Sequence, residues 1–130
     1  ELRVGLAAIR RALTDDGRFV FETRNPAARA WETWAATPRD EFVTDEGKVV
    51  ERHTVVDDVD GDLVRFTQTF TSPGWGAPRR STSTLRFLDG AALVARLGEA
   101  GLVATQQFGD WERGPLRDSS PEIITVARPA

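Results

Sequence analysis

Apolar residues near the start of the chain recur at the spacing of an amphipathic helix. From Leu2 to Leu13 they stand three or four positions apart, which places them on one face of a helix. The unbroken apolar segment at residues 19–21 indicates a short strand covered on both faces, as in a mostly parallel sheet. A helix followed by such a strand is typical of an α/β fold.

Helix-capping residues predict two further helices. Asn25 is a favourable N-cap and Pro26 suits the first helical position, so a helix is expected over residues 26–36, carrying Trp31 and Trp34. Asp89 can cap a second helix, which Gly101 would end in the left-handed conformation. Strands are expected at residues 102–108 and 122–127. The loop between them is short for a helical crossover, so this pair is predicted to be antiparallel.

The middle of the chain has a different pattern. Residues 48–87 are rich in Val, Thr and Phe and contain turn signals at residues 60–61 and 73–78. This predicts an antiparallel meander with strands near 48–57, 62–71 and 79–88, and a short strand at 42–43 would make it four-stranded. The acidic segment 57–62 lacks carboxylates at the first and last positions of a calcium loop, so it is interpreted as a type I′ hairpin turn and no metal site is predicted.

Composition narrows the function classes. The 130 residues carry a net charge of -3 and contain no cysteine, which excludes disulfides, thiolate metal sites and cysteine nucleophiles. No apolar segment reaches the length of a membrane span, and the mild acidity disfavours nucleic acids and anionic membranes as partners. We therefore expect a single cytoplasmic domain over residues 1–130. The chain has no methionine and begins as though inside a helix, so it is expected to be a piece of a longer product.

Several short segments, taken in order, resemble one enzyme family. Residues 9–22 are similar to a helix, a turn and the fifth strand of class I S-adenosylmethionine-dependent methyltransferases, although Asp15 and Asp16 replace the commoner Pro-Gly of that turn. The later similarities are to the closing helix and the sixth and seventh strands of a bacterial small-molecule subgroup, which has an antiparallel insertion after the fifth strand. They lie at residues 85–88, 100–102, 109–111 and 120–124.

The resemblance implies an α/β fragment, the C-terminal half of a Rossmann-like methyltransferase. In the family's seven-stranded sheet, ordered 3-2-1-4-5-7-6, this chain would supply strands 5, 7 and 6, with residues 42–88 as the antiparallel insertion. The parent enzyme would use S-adenosylmethionine and methylate a small molecule. The family's glycine-rich cofactor loop and its ribose-binding acid have no counterpart here. No cofactor-binding or catalytic residue is therefore assigned, and the fragment alone is expected to be inactive.

The resemblance also implies a partner. In the complete sheet the strand at residues 19–21 would pair with a strand that this chain does not contain. Its edge would thus be free to pair with the missing N-terminal half or with a second copy of the chain.

Five residues are candidates for substrate binding. Arg24 and Asn25 follow the strand at residues 19–21, at the edge where α/β sheets bind ligands, so Arg24 could clamp an anionic group and Asn25 could hydrogen-bond a polar one. The alternative is a solvated arginine and a helix cap. Trp31 and Trp34 could form the wall of an aromatic pocket or pack in a core. His53, the only histidine, is either a general base or a strand residue in solvent.

A rival class remains open at the level of sequence. A non-enzymatic α+β domain could enclose a small ligand beneath its meander, or could dimerise through its sheet edges. If the strand at residues 19–21 were central and fully paired within its own chain, this rival would be favoured.

Overall fold

The structure is a computed structural model that describes residues 1–130, and it contains three α-helices and seven strands. The helices are α1 (Leu2–Ala12), α2 (Ala30–Ala36) and α3 (Gly90–Glu99), with a 3-10 turn at Pro26–Ala28. The strands are β1 (Phe19–Arg24), β2 (Arg39–Val43), β3 (Val49–Asp60), β4 (Leu63–Thr71), β5 (Arg79–Arg86), β6 (Leu102–Phe108) and β7 (Glu122–Pro129). None of the helices combines the length and the apolarity needed to cross a membrane.

The elements divide into two units. The first unit comprises Glu1–Ala28 and Leu88–Ala130, and the second comprises Arg29–Phe87. The expected insertion at residues 42–88 lies almost entirely in the second unit, whereas its placement inside one domain stays a prediction.

The sheet of the first unit has the order β1-β7-β6, with both strand pairs antiparallel. This confirms the 5-7-6 order that the family resemblance implied, and it confirms the antiparallel pairing of the last two strands. The β1–β7 register places Phe19 opposite Ala127. β1 is therefore an edge strand with β7 on one side only, rather than the central strand that would have favoured the rival class.

The core of the first unit is aliphatic and lies on one face of this sheet. Leu6 of α1, Leu97 of α3 and Leu102 of β6 are buried together, and Phe19 and Phe21 pack against them. Val20, between the two phenylalanines, is 45% exposed. The expectation that residues 19–21 are covered on both faces is therefore wrong for this chain. Burial alternates along β1 because α1 and α3 cover only the sheet face that Phe19 and Phe21 share.

The capping predictions had different outcomes for the two helices. Asp89 caps α3, since its Oδ1 accepts a hydrogen bond of 2.7 Å from the Ala92 amide, and Gly101 follows the helix with a φ of 76°. The helix expected over residues 26–36 begins later. Asn25 caps only a 3-10 turn, because Arg29 adopts a left-handed φ of 50° and α2 starts after it.

The second unit is an antiparallel meander with the order β2-β3-β4-β5, which confirms a four-stranded insertion. The loop between β3 and β4 differs from the prediction. It consists of Gly61 and Asp62, and Gly61 alone has a positive φ, 57°. A type I′ turn needs positive φ at both central residues, whereas a single positive φ at the first position fits type II′. Glycine is therefore required one position earlier in the turn than expected.

The core of the second unit is aromatic. Trp34 of α2 lies 5.2 Å from Phe66 of β4, and Trp31 meets Phe87 edge to face at 4.9 Å between ring centroids. Val64 of β4 is fully buried in the same sheet. We call the sheet face that carries Val64 and Phe66 the inward face, and the opposite one the outward face.

Candidate functional site

The carboxyl ends of β1 and β6 lie at the same edge of the first sheet and bring polar and aromatic side chains together. Both strands are antiparallel to β7, so they run parallel to each other and end at the same edge of the sheet. In α/β proteins this edge is where ligands bind. Here it carries the last residues of β1 and the loop at residues 109–121 that follows β6.

A tryptophan from that loop contacts the end of β1. The Trp111 indole donates a hydrogen bond of 2.7 Å from Nε1 to Oε2 of Glu22, and Trp111 remains 59% exposed. The loop is held by Asp110, whose Oδ1 accepts hydrogen bonds of 2.9 Å from the amides of Glu112 and Gly114. The turn that contains Trp111 is thus stabilised by the side chain of the preceding residue, Asp110.

An open groove of about 410 Å³ lies on the uncovered face of the first unit's sheet. Its lining combines apolar, polar and charged side chains. The apolar ones include Val20, Phe108, Ile124 and Val126, the polar ones are Thr105 and Gln106, and the charged ones are Arg18, Asp110 and Arg113. Such a surface can cover an apolar group and orient it with charged side chains.

Sequence reasoning did not assign Trp111 and Glu22 to a site. The signal was present, because Glu22 shares the face of Val20 on β1 and the segment Gly109-Asp110-Trp111 follows a strand that ends at the same edge. Recognising it requires knowing that β1 and β6 are parallel, which depends on the position of β7.

The polar atoms of the Asn25 side chain are hydrogen-bonded to backbone groups of the same chain. Asn25 is 5% exposed, and its Nδ2 donates hydrogen bonds of 3.1 and 2.8 Å to the carbonyls of Arg117 and Ser120. Its Oδ1 accepts a bond of 3.1 Å from the Ala27 amide. Both amide hydrogens are therefore used to tie the end of β1 to the loop at residues 109–121. Arg24 lies beside it, exposed, and opposite Glu122 in the strand register.

The other three predicted residues lie in the second unit. Trp31 and Trp34 belong to the aromatic core on the inward face. His53 lies on β3 between Arg39 and Thr69, and it points to the outward face because its neighbours in sequence, Arg52 and Thr54, share the inward face with Phe66. The structure therefore brings Trp31 and Trp34 together and separates His53 from both.

The inward face also carries polar side chains. Arg52 donates two hydrogen bonds to the Asp40 carboxylate, from Nε at 2.9 Å and from Nη2. This bonding lowers the pKa of Asp40 and raises that of Arg52. In the next cross-strand row, Gln68 donates a long bond of 3.4 Å to Thr54 Oγ1.

Metal chemistry has no candidate ligands here. No group of three or more His, Cys, Asp or Glu side chains is arranged to hold a metal ion.

Comparison with known proteins gives matches among solved structures. No family model and no curated protein matches the sequence. The chain resembles the CcbJ methyltransferase from Streptomyces caelestis with a TM-score of 0.67 and 24% identity, over 96% of this chain and 51% of that one. An S-adenosylmethionine-dependent methyltransferase from Clostridium acetobutylicum matches with a TM-score of 0.66 and 12% identity, over 98% of this chain and 50% of that one.

A third match has a more specific description. It is CalS10, an amino pentose methyltransferase from Micromonospora echinaspora involved in calicheamicin biosynthesis, with a TM-score of 0.58, 15% identity, and coverage of 98% of this chain and 50% of that one. The chain therefore spans about half the length of the solved structures it matches. At these identities the likeness concerns the fold alone, and this chain has the fold of about half of each of these methyltransferases.

Proposed function

We propose that this chain is the C-terminal, substrate-side segment of a bacterial, cytoplasmic methyltransferase that acts on a small polar molecule. One observation carries the proposal: the strand order β1-β7-β6, with a four-stranded antiparallel sheet inserted between β1 and α3. The fold that contains this arrangement matches two methyltransferases over 96% and 98% of this chain and over 51% and 50% of theirs. The matched amino pentose enzyme supports a polar ring as the methyl acceptor.

The segment alone is proposed to bind no S-adenosylmethionine. Nucleoside cofactors of α/β enzymes bind where a glycine-rich turn joins a strand to a helix. The connection from β5 to α3 spans residues 87–89 and contains no glycine, and Asp89 caps the helix with its own carboxylate. The connection before α2 is a 3-10 turn ending in Arg29. These residues do not fit the cofactor.

The edge of β1 is the proposed junction with the rest of the enzyme. β1 is paired with β7 on one side, and its other edge offers unpaired backbone groups to a further strand. The exposed Val20 and the groove beside it supply apolar area next to that edge. We propose that the N-terminal half of the enzyme occupies this edge. Pairing with a second copy of the chain is the alternative.

The bound cofactor would supply the activated methyl group, and the protein would align the acceptor with it. In this segment Trp111 and Glu22 would form part of the wall at the strand ends, held by the hydrogen bond between them.

Two measurements test the proposal. Calorimetric titration of the chain with S-adenosylhomocysteine should give no binding heat, and tight binding would show that the cofactor site is present after all. The reading frame that encodes the chain should contain, upstream of Glu1, a strand followed by a glycine-rich turn. An unrelated domain there would overturn the assignment to a methyltransferase.

A further inference from the structure

The Trp111 indole lies across the open face of the first unit's sheet. Its Nε1 donates to Glu22 on β1, although its backbone follows β6 on the other side of β7. Glu22, Ile124 and Phe108 form one cross-strand row on this face. Ile124 is only 2% exposed on a face without a helix, and the indole that crosses the row accounts for this burial. Trp111 itself is 59% exposed, so its ring is held in place and is still accessible to a ligand.

Arg113, two residues after Trp111, has a strained backbone. Its φ of 65° lies in the left-handed region, which costs free energy for a residue that carries a Cβ. A glycine at this position would remove that cost. The glycine stands instead at position 114, where an added Cβ would collide with the Asp110 carboxylate. An arginine at a strained position indicates a use for its side chain, because strained residues are concentrated at functional sites.

The groove has spare hydrogen-bond donors, whereas its carboxylates already accept hydrogen bonds from the chain. The Arg113 guanidinium lines the groove and has no hydrogen-bond or ion-pair partner. By contrast, Glu22 accepts the bond from Trp111, and Asp110 Oδ1 accepts bonds from two backbone amides. Arg18, which also lines the groove, donates only from Nη1, to two backbone carbonyls. A negatively charged ligand that accepts hydrogen bonds would complement the free donors.

The shape and the lining of the groove narrow the class of ligand. Its volume of about 410 Å³ suits a small molecule built on an aromatic ring. The exposed indole and the half-buried Phe108 favour contact with a flat ring. A guanidinium pairs well with a planar carboxylate, through two parallel hydrogen bonds. Phe108 and Gln106 belong to β6, so such a ligand would lie towards β6 and away from the β1 edge proposed as the junction.

We propose that Trp111 and Arg113 form a binding site for a small aromatic carboxylic acid. The ring of the acid stacks on the indole and contacts Phe108, and its carboxylate pairs with the Arg113 guanidinium. Glu22 is a positioning residue, because its hydrogen bond to Nε1 sets the plane of the indole. Binding of such an acid goes beyond the proposed function and does not depend on it, because it requires neither the cofactor nor the methyl acceptor.

The test uses the intact chain, labelled with ¹⁵N, and cinnamate as the probe. Titration should shift the Trp111 indole resonance and the backbone amides of Phe108 and Arg113 until they saturate. Cinnamyl alcohol keeps the aromatic ring but lacks the charge, and it should bind about tenfold more weakly. Cyclohexanepropionate keeps the charge but lacks the aromatic ring, and it should also bind more weakly. No saturable shift, or shifts confined to other residues, would overturn the proposal.

Arg113→Gly separates binding from stability. Loss of the guanidinium should weaken cinnamate binding by about tenfold, whereas loss of the Cβ at a φ of 65° should raise the melting temperature. A merely structural arginine would lower stability and affinity together when replaced. Arg117→Gln in the same loop is the matched control, since that side chain lies outside the groove and has no partner, and its binding should be unchanged. Full binding by Arg113→Gly, or an equal loss in Arg117→Gln, would refute the site.

Two variants at Glu22 test its positioning role. Glu22→Val removes the acceptor of the Trp111 indole and should weaken cinnamate binding by about fivefold. Glu22→Gln keeps an acceptor oxygen, so binding should return to that of the parent chain. If Glu22→Gln binds as weakly as Glu22→Val, or if Glu22→Val binds as tightly as the parent chain, the positioning role is wrong.

Discussion

The two sheets of this protein are assembled from different kinds of contact. In the first unit β1 pairs with β7, which lies about a hundred residues further along the chain, as the Phe19–Ala127 register shows. In the second unit every strand pairs with its neighbour in sequence. Local hairpins can form from short-range signals, whereas the first sheet closes only when distant segments meet. Formation of the first sheet therefore depends more on tertiary packing than formation of the second.

The two units also treat buried polar groups differently. In the first unit Asn25 is used to tie the chain to itself, through three hydrogen bonds. In the second unit Thr54, Gln68 and Arg52 keep unused donors and acceptors on a partly covered face. The Asn25 side chain therefore joins distant parts of the chain, whereas the bond between Gln68 and Thr54 joins neighbouring strands.

The largest expected effect comes from removing core volume in the first unit. Leu97 is 1% exposed, so Leu97→Ala should lower the free energy of unfolding by about 2–5 kcal/mol through lost burial and the cavity left behind. Urea unfolding measures the change, and hydrogen exchange should show that the lost protection concentrates in β6 and β7. Val94→Ala on the same helix, at a position 46% exposed, should cost about 0.5 kcal/mol or less. Equal effects for the two variants would contradict the assigned core.

The next largest effect on stability is expected at Asn25, whose side chain joins the end of β1 to the loop at residues 109–121. Asn25→Leu leaves the carbonyls of Arg117 and Ser120 without their donor, at a cost of about 1–3 kcal/mol. Asn25→Asp keeps the acceptor for the Ala27 amide but places a carboxylate beside those two carbonyls, which raises the pKa of the introduced group when the protein folds. A carboxyl with a raised pKa favours folding at low pH, so this variant should lose stability relative to the parent chain as the pH rises. Thermal unfolding across pH measures it, and a pH-independent difference would refute the buried arrangement.

A smaller effect is expected at the β3–β4 turn of the second unit. Gly61→Ala introduces a side chain at a φ of 57° and should destabilise by about 1 kcal/mol. Gly76→Ala is the matched control, because that glycine has no positive φ and an added Cβ meets no atom within 4 Å. Its effect should be near zero or slightly stabilising. Denaturant midpoints of the two variants measure the difference, and a Gly61→Ala variant as stable as the control would contradict the turn assignment.

The smallest effect is electrostatic. The hydrogen bond from Arg52 lowers the pKa of Asp40, so the folded chain binds fewer protons at this site than the unfolded chain at acidic pH. The contribution of Asp40 is therefore present above its unfolded pKa and is lost as the pH falls towards the folded value. The parent chain should exceed Asp40→Asn in melting temperature at neutral pH, and the gap should close on acidification. A gap that widens at low pH would contradict the pairing.

Predictions from the sequence succeeded where the signal is local and failed where a distant segment decides. Asp89 and Gly101 delimit α3 as expected, because caps act within one turn of the helix. Asn25 has the same capping chemistry, but the left-handed backbone of Arg29 limits what it caps to a 3-10 turn. Its amide hydrogens bond the distant loop at residues 109–121, a contact that the local sequence does not indicate. The hydrogen bond from Trp111 to Glu22 joins residues far apart in sequence, so spacing could not reveal it.

The sequence by itself determined the order of helices and strands, the hairpins of the second unit and the resemblance to half of a methyltransferase sheet, since periodicity, turn residues and short segments are local properties. Only the tertiary structure decided which faces these elements share. It left Val20 exposed on the uncovered face of the first sheet and aligned Asp40, Arg52, Thr54 and Gln68 in adjacent rows of the second. The physical reason is that strand register and sheet order depend on pairing across the fold, which a linear pattern does not specify.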